Sequence, residues 1–164
     1  MIPATRDTET QDTAAHVTER MEELAIVSTR TVRATREDVW NAWTNPILLA
    51  QWWGPKGFRN TFYEFDLRPG GAWRFIMHAP DGTNFPNESV FVEIAPSKRI
   101  VFRHLAPVHA FLATAEFAEH GNGTAIRFTM LFPTAAECER SKRYVVRGNE
   151  ENFDRLEALL AATV

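Results

Sequence analysis

The chain has 164 residues, a hydrophobic fraction of 45% and a formal net charge of -3. That length gives one domain with a real core and little room for two, and the hydrophobic fraction excludes wholesale disorder. The small negative charge provides no field to draw in nucleic acid or an anionic membrane, and no apolar run approaches the roughly eighteen residues that span a bilayer.

Residues 1–22 are rich in Thr, Glu, Asp and Gln without clear periodicity. They read as a mobile extension with helical character near 14–23, and they lack the apolar stretch of a signal peptide. Together with a single cysteine, Cys138, which forms no internal disulfide, this points to the cytoplasm. The domain proper is expected over 23–164. It opens with the β-branched run 24–33, a strand. Thr35 then has the side chain to cap a helix, followed by Glu37 and Asp38 at the positive end of its dipole, with Val39, Trp40 and Trp43 as its apolar stripe. Asn45-Pro46 restarts a second short helix, and Gly54-Pro55 stops it just past Trp52 and Trp53.

From Arg59 the period changes to two, with strands expected at 60–67, 72–79, 88–95, 99–105, 110–119 and 124–132. Between them lie Pro69-Gly70-Gly71, Pro80-Asp81-Gly82, Pro96-Ser97-Lys98 and Gly121-Asn122-Gly123, turns tight enough to make successive strands antiparallel neighbours. The last segment, 135–162, contains no proline. Its Val146, Asn149, Phe153, Leu156 and Leu160 fall at steps of three and four on one face of a helix. Seven antiparallel strands and one long helix predict an α+β fold in which the sheet curls around the helix.

With those residues in view, the chain resembles the helix-grip, or START-like, superfamily that includes the birch-pollen allergen type. Within it, the chain is similar to the branch named for the activator of the ninety-kilodalton heat-shock chaperone ATPase. The resemblance is carried by Glu37 to Pro46, by Trp52-Trp53-Gly54-Pro55-Lys56-Gly57-Phe58, and by Asp66-Leu67-Arg68-Pro69-Gly70-Gly71-Ala72-Trp73. It continues through Met77 with Pro80-Asp81-Gly82, Glu93-Ile94-Ala95-Pro96, and Asp154-Arg155 before the Leu156 to Leu160 stretch. It spans nearly the whole domain. One departure stands before Val90, where a glycine is usual and this chain has Glu88-Ser89. The resemblance implies a helix-grip fold and several activities: ligand binding, cyclase- or hydrolase-like catalysis, toxin resistance and chaperone assistance. One fold hosting many functions leaves the site to decide.

Trp52 and Trp53 are helix neighbours and diverge by about 100°, so one belongs in the core and the other at a cavity mouth, or both are structural. Phe58 is their partner on the lip. On the strand after the Gly-Gly turn, Trp73, Phe75 and Met77 share one face. If sheet and helix close tightly these are core; if they stand apart, they line a cavity suited to apolar ligands, which the resemblance favours. Further along, Val90, Val92 and Ile94 alternate with Glu93 and Phe91, the latter a further ligand-binding candidate. Glu93 is expected in an exposed ion pair with Arg103 or Arg127. Asn149 and Phe153 complete the ligand-binding candidates from the long helix, Asn149 offering an amide to a ligand or to a neighbouring loop.

The five histidines show no metal-ligand spacing, and no nucleophile elbow, phosphate loop or dinucleotide fingerprint occurs. No metal and no cofactor is expected. Asp66, Glu93 and His78 are the candidates for acid–base chemistry, without a constellation that names a reaction. The leading expectation is a binder of a small apolar, lipid-like or polyketide-like molecule, with no nucleic-acid partner and no membrane insertion. A chaperone-activating interaction protein and an enzyme or sequestering resistance protein are the alternatives, and pairing through a sheet edge leaves a homodimer open.

Overall fold

The computed structural model describes residues 20–107 and 110–162. The expected extension over 1–22 lies outside the described residues except for 20–22, which are helical together with 23 and 24. The elements in chain order are β1 (Ala25–Val32), α1 (Arg36–Thr44), α2 (Pro46–Trp52), β2 (Arg59–Phe65) and β3 (Ala72–His78). They continue with β4 (Asn84–Ala95), β5 (Arg99–Ala106), β6 (Phe111–His120), β7 (Gly123–Leu131) and α3 (Ala135–Ala162). The seven strands form one antiparallel sheet in the order β1-β7-β6-β5-β4-β3-β2. The chain thus crosses the sheet once, between its two edge strands, and α1 and α2 make that crossing.

Each helix start has a named cap. Thr35 Oγ1 accepts from the Asp38 amide at 3.1 Å, and Asn45 Oδ1 accepts from the Ile47 amide at 3.0 Å. For α3 the cap is Thr134, which accepts from the Glu137 amide at 3.1 Å while its hydroxyl donates to the Glu137 carboxylate at 3.2 Å. Between β2 and β3 the chain turns so tightly that a Cβ on Gly71 would stand 1.9 Å from the Asp66 carbonyl oxygen. Only glycine fits there.

The core lies between the concave face of the sheet and the three helices. Ile26, Phe102, Ala113, Phe117, Ile126 and Phe128 face it from the strands, and Phe153, Leu156 and Leu160 from α3. Aromatic rings form a continuous chain through it, with centroids 4.8 Å apart for Trp43–Trp52, 5.1 Å for Trp53–Trp73 and 4.7 Å for Trp73–Phe75. At the far end of α3, Arg30 of β1 reaches Glu150, Asp154 and Glu157 at 2.7, 2.9 and 3.1 Å and lies over the Phe153 ring. Burial works against its charge, but the three carboxylates outweigh it and raise its pKa.

Two sequence expectations are corrected here. The fourth strand begins at Asn84, four residues before the expected 88, because Pro86 does not interrupt it. Over 84–87 β4 pairs with β3 alone, so the missing amide costs no ladder bond. In the same strand the register with β5 shifts between Phe91 and Glu93. The bulge at Val92 breaks the alternation, so Phe91 and Ile94 both turn inward while Val92 is exposed.

Leu156, with no exposed surface, anchors α3 on the sheet. Leu156→Ala should cost roughly 2–5 kcal/mol of unfolding free energy, whereas Ile47→Ala, at a site 74% exposed, should stay within about 0.5 kcal/mol. Urea titration of both variants checks the contrast, and equal losses would refute this assignment of the core.

Candidate functional site

Alongside residues 144–152 of α3 the sheet and helix stand apart and enclose a cavity of about 300 Å³. Trp73, Phe75 and Met77 of β3 line it, with Phe102 of β5, Phe111 of β6 and Met130 of β7. Trp53, Gly54 and Pro55 close one side, and Tyr144, Val145, Gly148, Asn149 and Asn152 form the helical wall. Ser89, His104 and Asn87 are the polar groups on the sheet side. Among the described residues the lining contains no Lys, Arg, Asp or Glu.

Of the nine ligand-binding candidates, five meet in this cavity: Trp53, Trp73, Phe75, Met77 and Asn149. The other four lie behind its walls. Trp52 is buried and donates its indole N–H to the Ala42 carbonyl at 2.9 Å, so the two tryptophans part as their helical angle requires. Phe58 packs on Phe85 with centroids 6.3 Å apart. Phe91 lies parallel to Trp73 at 6.0 Å and backs it. Phe153 is buried beneath Arg30. Asn149 donates Nδ2 to Ser28 Oγ at 3.0 Å and touches Met130 Sδ at 3.6 Å, which satisfies its amide nitrogen and leaves Oδ1 for other partners.

None of the three acid–base candidates lines the cavity. Asp66 pairs with Arg68 at 2.8 Å, and His78 lies between Thr61 Oγ1 and Asn84 Oδ1, 2.7 Å from each. Glu93 is bound by two nitrogens of Arg99 at 2.6 and 3.1 Å, not by Arg103 or Arg127. The Arg99 hydrogen bonds hold its carboxyl below the usual range. The tight turn from β4 to β5 places Arg99 opposite Ala95, and that local partner wins over residues on more distant strands. The described residues contain no group of three or more His, Cys, Asp or Glu arranged to hold a metal, and no described helix is long and apolar enough to cross a membrane.

The segment 53–58 is tied to α3 by one side chain above all. Arg155 donates to the carbonyl oxygens of Gln51, Trp53, Gly54, Pro55 and Phe58 at 2.9 to 3.1 Å. Gln51 lies in the last turn of α2 and Trp53 caps it, so two of these carbonyls sit at the negative end of the helix dipole, while Gly54, Pro55 and Phe58 belong to the segment that follows. Burial lowers the Arg155 pKa. Asn152 Oδ1 accepts from the Gly54 amide at 3.1 Å and Glu151 from the Lys56 amide at 3.0 Å. Gly54 itself has φ +96°, and a Cβ there would stand 2.6 Å from the Met77 methyl, so the turn needs glycine both for its conformation and for room beside the cavity.

Sequence reasoning left out Ser89, His104 and Gly148. Ser89 is two residues before inward-facing Phe91 and His104 two after Phe102, so strand alternation was the available signal. A glycine in mid-helix, next to Asn149, was the signal for Gly148.

Residues 33–161 match the family described as Activator of Hsp90 ATPase homolog 1-like protein, and the chain belongs to that family. Among solved structures, a Nitrosomonas europaea protein is 26% identical, with 87% of this chain and 97% of that one covered and a TM-score of 0.80. A Mycobacterium smegmatis protein is 23% identical over 88% and 95%, TM-score 0.79. An Arthrobacter aurescens protein is 24% identical over 87% and 88%, TM-score 0.80. A search of curated proteins returns no match.

Two outcomes follow from this geometry. Arg155→Met should lower stability by roughly 1–3 kcal/mol, since several part-buried carbonyls lose a charged donor, and amide hydrogen exchange over 53–58 should quicken. Unchanged exchange there would show that other contacts hold the segment. Gly148→Ala should raise stability by up to about 1 kcal/mol, because the added Cβ would meet only Pro55 Cγ, at 3.9 Å; thermal melting measures it.

Proposed function

We propose that this protein binds a small, uncharged, largely apolar molecule in the cavity between the sheet and α3. The observation that carries the reading is a void of about 300 Å³ walled by Trp53, Trp73, Phe75, Met77, Phe102 and Met130, with no Lys, Arg, Asp or Glu among its described lining residues. A ligand that buried about 200 Å² of apolar surface there would gain about 5 kcal/mol before the costs of association. A charged ligand would lose hydration and meet no opposite charge. Trp53, Trp73, Phe75, Met77 and Asn149 are the contact residues in this reading, and Trp52, Phe58, Phe91 and Phe153 support them from behind. The cytoplasmic location expected from the sequence belongs with it.

The family's name also suggests a role in activating a chaperone ATPase, but that reading rests on the name, whereas the cavity is a feature of this chain. The enzymatic alternative loses its three named candidates, which all lie outside the cavity. The test uses N-phenyl-1-naphthylamine, an uncharged probe whose emission rises in apolar surroundings. Saturable binding is expected, weakened at least roughly tenfold by Gly148→Phe, whose ring would occupy the space beside Asn149. Circular dichroism of the variant checks its fold. Absence of saturable binding to the native protein, or undiminished binding by a folded Gly148→Phe variant, would refute the reading.

A further inference from the structure

The sheet side of the cavity carries a polar station that an apolar pocket alone leaves unexplained. Ser89 of β4 and His104 of β5 are register partners and both line the cavity. They are 1% and 7% exposed. The imidazole is held from three directions. Its ring stacks on Phe111 with centroids 4.6 Å apart, its Nε2 lies 3.2 Å from the Pro107 carbonyl oxygen, and its Nδ1 lies 3.4 Å from Ser89 Oγ.

A carbonyl oxygen only accepts, so Nε2 carries the proton that faces Pro107. In the neutral ring this leaves a lone pair on Nδ1. Ser89 then donates its hydroxyl hydrogen to Nδ1, and what Oγ can offer the cavity is its lone pairs. Two residues earlier on the same strand face, Asn87 donates Nδ2 to the Phe85 carbonyl at 2.9 Å, which leaves its Oδ1 as a second acceptor. Across the cavity, Asn149 has committed its Nδ2 to Ser28, so its Oδ1 is a third. With the imidazole neutral, the direction of each bond follows from its fixed partner.

We infer that the cavity selects ligands bearing a hydroxyl group, alcoholic or phenolic, on an apolar body, with that hydroxyl donating to Ser89 Oγ. The inference rests on the cavity-binding reading above and narrows it to a chemical class. An ether of the same shape brings no donor and leaves the serine lone pairs unmatched. A carboxylate would set its own lone pairs against them, with no Lys or Arg among the described lining residues.

Competitive displacement of N-phenyl-1-naphthylamine from the full chain by 2-naphthol and by 2-methoxynaphthalene, at neutral pH, separates these possibilities. The native protein should prefer the naphthol roughly threefold to tenfold, the value of one hydrogen bond, although the ether is the more apolar of the two. Ser89→Ala should abolish that preference and hold 2-methoxynaphthalene at least as tightly as the native chain, since the unmatched serine lone pairs are gone, which also shows that the variant is folded. Ser89→Cys, nearly the same shape but a weak acceptor, should behave like the alanine variant. Equal binding of both compounds by the native protein, or a preference that survives in Ser89→Ala, would overturn hydroxyl selection and leave the apolar cavity standing. Displacement by neither compound would remove both.

Discussion

The guanidinium of Arg155 is the contact on which the cavity's shape depends. Without it, five carbonyls at the end of α2 and in the following turn, four of them in part-buried hydrogen bonds, would lose a charged donor. With it, the turn bearing Trp53, Gly54 and Pro55 is fixed against α3, and Trp53 is set against Trp73 at 5.1 Å. A lysine could not replace it, because a compact ammonium cannot fan its donors across five acceptors in this way. Placing this charge at the negative end of α2 also offsets part of the cost of burying it.

The concave face is then divided along the length of α3. Toward the C-terminal end, Phe153, Leu156 and Leu160 fill the space between helix and sheet, and Arg30 closes the edge with three carboxylates. Over 144–152 the helix presents Gly148, Asn149 and Asn152 beside Val145 and the largely exposed Tyr144, and the glycine and the two amides do not fill the same gap. Close packing at one end fixes the distance between the layers, and small residues at the other leave that distance empty. The cavity is therefore a consequence of side-chain volume on one helix face and needs no distortion of the sheet.

Much of this was legible from the residues. The turns, the caps at Thr35 and Asn45, and the long helix follow from local chemistry, and the helix-grip arrangement follows from their order. Where the sequence misled, a non-local effect was responsible. The fourth strand was expected to begin too late in the chain, at 88, because the pairing of Pro86 with β3 alone is a property of the sheet. The bulge at Val92 reversed the alternation that oriented Glu93 and Ile94. The division between Trp53, Trp73, Phe75, Met77 and Asn149 on the cavity and Trp52, Phe58, Phe91 and Phe153 behind it depends on how far α3 stands from each strand, which no local pattern encodes. Glu88-Ser89 was visible as a departure from the family pattern, but its meaning required seeing His104 across the ladder.

The central claim is that the space beside Gly148 is open and accepts an apolar guest. Methionine methyl groups report on it directly, since Met77 and Met130 line the cavity while Met21 is exposed elsewhere. In methyl NMR spectra of the protein labelled at methionine, titration with naphthalene should shift the Met77 and Met130 signals saturably and leave Met21 in place. Unmoved Met77 and Met130 signals at saturating naphthalene would contradict the account.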